Sequence, residues 1–316
     1  MKRFARRFAR SRAGVLGVIV LAAVVALAAS APLLFPGSPF RAVDRPFTPP
    51  LGPHLLGTDV LGRDVAAGLA HGARTSLSIG LLATSIAVVL GTIIGGLAGY
   101  YGGWIDDLLM RTTEFFQTIP TFLFAILLVA ILAPSVKSIV LAIAIVNWPT
   151  VARLVRGEFL ALRVREFVQS CIGLGMPDRR VIFRHILPNC LSPIIVTGSL
   201  SVATAILIES ALSFLGLGDP NVMSWGFMIA AGRTFLRTAW WLCAIPGTAI
   251  LLTVLAINLV GEGLNDALNP RLYISQRGEG GRRNGFESFR HETPQVANSA
   301  TENLVAPAGF EPASRS

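Results

Sequence analysis

Long apolar stretches alternate with short polar ones along this chain. Residues 14–40, 75–105, 115–136, 186–208 and 238–261 contain no Asp, Glu, Lys or Arg. Each exceeds the roughly 20 residues a helix needs to cross a ~30 Å hydrocarbon core. A shorter charge-free run, 138–152, serves as a further span if Arg153 and Arg156 snorkel toward the interface. The pattern predicts an all-α integral membrane protein with six transmembrane helices, at about 14–35, 76–100, 115–134, 138–155, 190–214 and 240–263. Thirteen more charge-free residues, 220–232, read as a re-entrant or interfacial segment.

Prolines and glycines punctuate these helices. A loop rich in both covers 36–74. Pro120 and Pro134 bracket the third helix, and Pro149 inside the fourth should weaken or kink it. Gly91, Gly95 and Gly99 recur at a spacing of four, which puts three small residues on one face where another helix can approach closely. Packing within the chain accounts for that face better than dimerisation. No internal repeat supports a duplicated architecture.

Charge placement gives an orientation. The N-tail, 101–113, 153–185 and the residues after Gly261 hold 20 of the 27 Lys and Arg residues. The positive-inside bias then places these segments, and both termini, in the cytoplasm. The basic tail 1–13 precedes an apolar run that is long for a signal peptide, so a retained signal-anchor is expected, although Ala29, Ser30 and Ala31 resemble a cleavage site. The net charge of +9 is explained by topology and anionic lipid, not by nucleic acid. From Ser275 onward the apolar period vanishes, and 275–316 reads as a disordered tail. Its last part, LVAPAGFEPASRS, resembles the product of accidental translation across a transfer-RNA gene, and hence a reading-frame extension without function.

Little in the chain supports catalysis. Lys2 and Lys137 are the only lysines, and Val136 and Ile131 stand where a phosphate-binding loop ending at Lys137 would need glycine. His54, His71, His185 and His291 lack metal-ligand spacing. No Gly-x-Ser-x-Gly elbow occurs, and Cys171, Cys190 and Cys243 read as small apolar residues. The chain is expected to be no enzyme and to bind no cofactor or metal of its own.

One polar island interrupts the apolar spans: 153–189, RLVRGEFLALRVREFVQSCIGLGMPDRRVIFRHILPN, with seven arginines. Phe167, Cys171 and Leu174 fall on one face of a short helix. Gly173 and Gly175 permit a C-terminal turn with positive φ. Pro177 and Asp178 suit the opening of a second short helix. The residues alone are equally compatible with docking a soluble partner and with an amphipathic helix resting on lipid.

The island resembles the cytoplasmic coupling loop of importer permeases of the ATP-binding-cassette (ABC) superfamily. That loop reads Glu-Ala-Ala, three residues, Gly, then nine residues before Ile-x-Leu-Pro. Gln169, Ser170 and Cys171 stand at the Glu-Ala-Ala positions, Gly175 at the Gly and Leu187-Pro188 at the close, while His185 replaces the usual Ile. Glu166 and Arg184 fall within the same loop. HLLGTDVLGRDVAAGLAHGARTSL (54–77), NWPTVARLVRGEFLALR (147–163), ESALSFLGLG (209–218), Ser224-Trp225-Gly226 and NLVGEGLNDALNPRL (258–272) resemble dipeptide, oligopeptide and nickel permeases, in that family's order. The short first outer loop is similar to that of the C-type member of the permease pair.

The resemblance implies a type I ABC importer permease bundle, 14–274, with a cytoplasmic coupling helix, in a bacterial or archaeal cytoplasmic (inner) membrane. Its implied partners are a homologous second permease, two ATPase subunits that bind ATP and Mg, and an extracytoplasmic solute-binding protein. The implied function is ATP-driven import of di- or oligopeptides or a related solute such as nickel. The rival readings are a gradient-driven secondary transporter and a membrane assembly that transports nothing. The substrate-binding residues cannot be read from the sequence.

Other polar and aromatic residues carry structural expectations. Glu209, at the outer end of its span, should bond outer-loop backbone or a basic residue. Asp59, Arg63 and Asp64 suit local turns and ion pairs. Trp225, Trp240 and Trp241 fit an interfacial belt. Phe115 and Phe116 should face lipid or pack.

Overall fold

The computed structural model describes residues 8, 9 and 11–268. The expected tail, 275–316, lies outside the described residues. Among the described residues the protein is helical, apart from its loops and two isolated bridges that pin the segment 36–64, Ala42 to Arg63 and Thr58 to Asp64.

Helix α1, Arg12–Leu34, is apolar on every side and buries only Gly14, Gly17, Ala28 and Ala31. That small-residue face packs against the last helix: a Cβ on Gly17 would lie 2.7 Å from the Ala256 carbonyl. Helix α2 runs from Val65 to Tyr101, starting eleven residues before the charge-free run predicts. Asp64 caps it by accepting from the Ala66 N–H at 2.8 Å, and His71 and Arg74 lie within it. Charged residues mark where lipid ends, not where a helix ends. At 1.5 Å per residue, α2 is about 55 Å long and overshoots the ~30 Å core.

The third expected span is corrected. It consists of α3, Gly103–Thr118, and α4, Thr121–Leu132, bent by 85°. Ile119 is extended, as the residue before a proline must be, and Pro120 opens α4. At about 18 Å, α4 alone is too short to cross the core. The membrane count is therefore five long helices plus one bent pair.

Helix α5, Val136–Arg163, continues past Pro149 and eight residues beyond its expected end. Gly91, Gly95 and Gly99 of α2 lie against it. Added Cβ atoms would meet Val151 and Phe159 side chains at 2.6 Å and the Ala152 carbonyl more closely still, so close approach of the two backbones requires glycine here.

After α6, Glu166–Gly173, the island does not form a second short helix. Helix α7 runs unbroken from Asp178 to Phe214, so Leu187-Pro188, the close of the sequence motif, lies inside it. Pro188 offers no N–H to the preceding turn. The helix widens over Ile182–Ile186, where the Leu187 N–H reaches the Ile182 carbonyl, a π-type turn that absorbs the missing donor. Helix α8, Trp225–Gly232, occupies the expected re-entrant segment, and α9, Trp241–Leu268, completes the bundle.

Candidate functional site: the corner between α6 and α7

The corner between α6 and α7 is built by a complete helix-ending motif. The Met176 N–H bonds the Cys171 carbonyl at 3.2 Å and the Gly175 N–H bonds Ile172 at 2.9 Å. Gly175 sits at φ +72°, the left-handed position such an ending requires. Gly173 has no positive φ, so one glycine makes the turn, not two.

The corner is anchored from inside. Val168, Val181 and Ile186 are fully buried with Val155, Phe159 and Cys190. Gln169, standing where the motif has Glu, donates to the Arg163 carbonyl at 2.8 Å and ties α6 to the end of α5. Ser170 Oγ donates to the Glu166 carbonyl at 2.8 Å, and Cys171 packs against the buried cluster. Tyr100, at the end of α2, donates its hydroxyl to Asp178 Oδ1 at 2.7 Å.

Of the expected helix face, Phe167 and Leu174 look outward and Cys171 is partly covered. Cys171 packs inward beside Val168, whereas Phe167 and Leu174 are exposed, Leu174 by 79%. Two turns are too few for a period of 3.6 to identify the buried side, and the supporting helices choose it. Exposed Ile172 and Phe183 extend the same apolar surface, and Glu166, Arg184 and Pro188 are also exposed. Pro177, Arg179, Arg180 and Phe183 line an open hollow of about 410 Å³ beside it. The corner thus exposes several large apolar side chains together with arginines, the composition that interaction surfaces share.

Two polar links were not legible beforehand. Arg156, expected to snorkel, grips Asp106 of α3 through paired bonds of 2.5 and 2.6 Å. Glu209 is 1% exposed, and among the described residues no basic side chain or backbone N–H bonds it. It accepts instead from Ser213 at 2.9 Å, Ser76 of α2 at 3.1 Å and Ser210 at 3.4 Å. Trp225 is wholly buried, not interfacial, and donates its ring N–H to the Leu69 carbonyl at 3.0 Å. Trp240 is exposed, while Trp241 is buried and edge-on to it. Phe115 is exposed and Phe116 packs on Phe124 and Trp148. Asp59 accepts from the Leu61 and Arg63 N–H groups at 2.8 Å each, a local turn.

Five long apolar helices and one bent pair define an integral membrane bundle. This chain belongs to the family of binding-protein-dependent transport system inner membrane components, whose model matches residues 87–273. Residues 1–50 match the N-terminal transmembrane domain of oligopeptide transport permease C. The chain is 42% identical over 271 residues to the dipeptide transport system permease protein DppC of Alkalihalophilus pseudofirmus, covering 84% of this chain and 88% of that one. It is 38% identical over 274 residues to the glutathione transport system permease protein GsiD of Pectobacterium atrosepticum, covering 86% and 91%. Its fold is similar to a chain of the inward-facing MetNI methionine ABC transporter, with TM-score 0.52 and 12% identity over 64% of this chain and 96% of that one. The protein is thus an inner-membrane permease subunit of an ABC importer, and its family implies ATPase and substrate-binding partners.

Proposed function

We propose that this chain is one half of the translocation path of an ATP-driven importer of short peptides. A related permease supplies the other half, a solute-binding protein delivers the peptide from outside, and two ATPase subunits dock on residues 166–188 from the cytoplasm. Both termini lie on that cytoplasmic side. ATP and Mg are held by the ATPase subunits, and hydrolysis happens there.

The observation that carries this reading is the continuity of α7. Asp178 at the docking corner and Glu209 near the far end of the span belong to one helix. Motion imposed at the corner is therefore delivered along a single helix toward the far side of the membrane. The π-type turn at Ile182–Ile186 is the place where that lever can flex. The peptide cargo is supported by relatives named for dipeptide and glutathione transport. Reconstitution of the complete assembly in liposomes tests the proposal. Dipeptide accumulation should require ATP on the corner side. Uptake driven by an ion gradient without ATPase subunits, or selective uptake of nickel in place of peptide, would refute it.

A further inference from the structure

An open cavity of about 450 Å³ lies at the N-terminal end of α2, away from the docking corner. Its wall comes from four places: segment 38–40, α2, Val136 at the start of α5, and residues 221–223. The α2 contribution is the face formed by His71, Arg74, Thr75 and Ser78, positions that neighbour one another on a helix. Asn221 adds an amide, and Phe40 and Ile79 add apolar surface. This volume falls within the roughly 300–1,000 Å³ typical of small-molecule sites.

Arg74 distinguishes this cavity. Its side chain is exposed to it. Among the described residues the ion pairs within 4.0 Å involve His54, Arg63 and Arg156, and none involves Arg74. Another outward-side arginine, Arg233, is satisfied by the Phe214 carbonyl at 2.8 Å. Arg74 immediately precedes the charge-free run 75–105, so it stands at the mouth of the membrane. A carboxylate matches the planar fork of a guanidinium with two parallel bonds.

We propose that Arg74, with Ser78 and Asn221 beside it, forms the entry subsite of the translocation path and binds the terminal carboxylate of the incoming peptide. This rests on the peptide-import reading above. A short peptide always carries that group, whatever its side chains, so one arginine serves many sequences. His71 Nε2 stays engaged with the Phe35 carbonyl at 3.2 Å and holds the wall in place. The hydroxyl of Ser78 and the amide of Asn221 are free to turn toward the oxygens that Arg74 leaves unpaired.

Two experiments on the complete transporter test the site. The first compares uptake of a dipeptide with uptake of its C-terminal amide at saturating binding protein. Arg74→Gln should lower uptake of the free acid about tenfold, the loss expected for one charge-assisted bond. It should leave the amide within about twofold of wild type, and Arg74→Lys should recover most of the loss. Equal losses for acid and amide, or no loss for either, overturn the proposal and point to a contact with the partner permease or with a lipid headgroup. The second labels Ser78→Cys with a membrane-impermeant thiol reagent. Millimolar dipeptide should slow the labelling and the amide should not; equal protection by both, or by neither, also overturns the site. This reading survives a wild type that fails to transport, because labelling needs binding alone. Dipeptide uptake by wild type tests the import reading separately.

Discussion

The hydroxyl of Tyr100 donates to Asp178 at 2.7 Å across 78 residues of sequence. This single bond joins the last turn of α2 to the first residue of α7. Because α2 also packs along α5 through its glycine face, the bond locks the docking corner to the largest helix pair of the bundle.

Tyr100→Phe removes that bond and little else. A hydrogen bond to a charged acceptor is worth about 1.5–3 kcal/mol, and Asp178 is exposed, which puts the effect at the low end. The expected outcome is an about tenfold fall in peptide uptake per ATP hydrolysed. Parallel uptake and phosphate-release assays on the reconstituted transporter measure it. An unchanged ratio would show that the bond carries no coupling.

Gly175→Leu strikes the corner itself. At φ +72° an L-residue other than Gly costs roughly 1–2 kcal/mol, although nothing crowds a side chain there. The helix ending should therefore loosen while membrane insertion stays normal. Uptake should collapse with the protein present at wild-type level in the membrane fraction. Full transport by this variant would remove the corner from the mechanism.

The pair Arg156–Asp106 ties α3 to α5. Arg156 is 35% and Asp106 14% exposed by side chain, so the bridge is only partly desolvated. Its worth should lie between the 0–1 kcal/mol (about) of surface pairs and the larger cost, about 3–5 kcal/mol, of breaking buried ones. A double-mutant cycle with Arg156→Ala and Asp106→Ala, read by thermal unfolding in detergent, should return a favourable coupling energy. Strict additivity of the two single effects would show the pair to be inert.

Glu209→Ala should destabilise the outer half more than Glu209→Gln. Glutamine keeps an acceptor oxygen for Ser76 and Ser213, whereas alanine leaves those buried hydroxyls without their acceptor and opens a void beside Trp225. Protease resistance of the segment 215–240 in membrane vesicles reports the difference. The order Ala below Gln is expected, and equal resistance would count against the serine cage as a clamp between α2 and α7.

Gly95→Leu should separate α2 from α5, because an added side chain runs into the Ala152 backbone, which cannot swing aside as a side chain can. Lower thermal stability with normal insertion is expected. Gly157, whose surroundings hold no atom within 4 Å, should tolerate Ala with little change and serves as the control.

The sequence by itself determined the membrane class, the five long spans, the glycine seam on α2 and the position of the turn at Gly175. Each is a one-dimensional quantity: the length of a charge-free run, a spacing of four, or a glycine followed by Pro177. Tertiary structure decided what runs and spacings do not encode. The 85° bend at Pro120 and the fusion of the island with its span into one helix depend on which neighbours support each turn. Val168, and not Phe167, faces inward because Val181 and Phe159 wait there. The partners of Asp178, Asp106 and Glu209 come from helices remote in sequence. An isolated polar residue in a span announces that it needs a partner, but only the packing of the helices places one within hydrogen-bond reach.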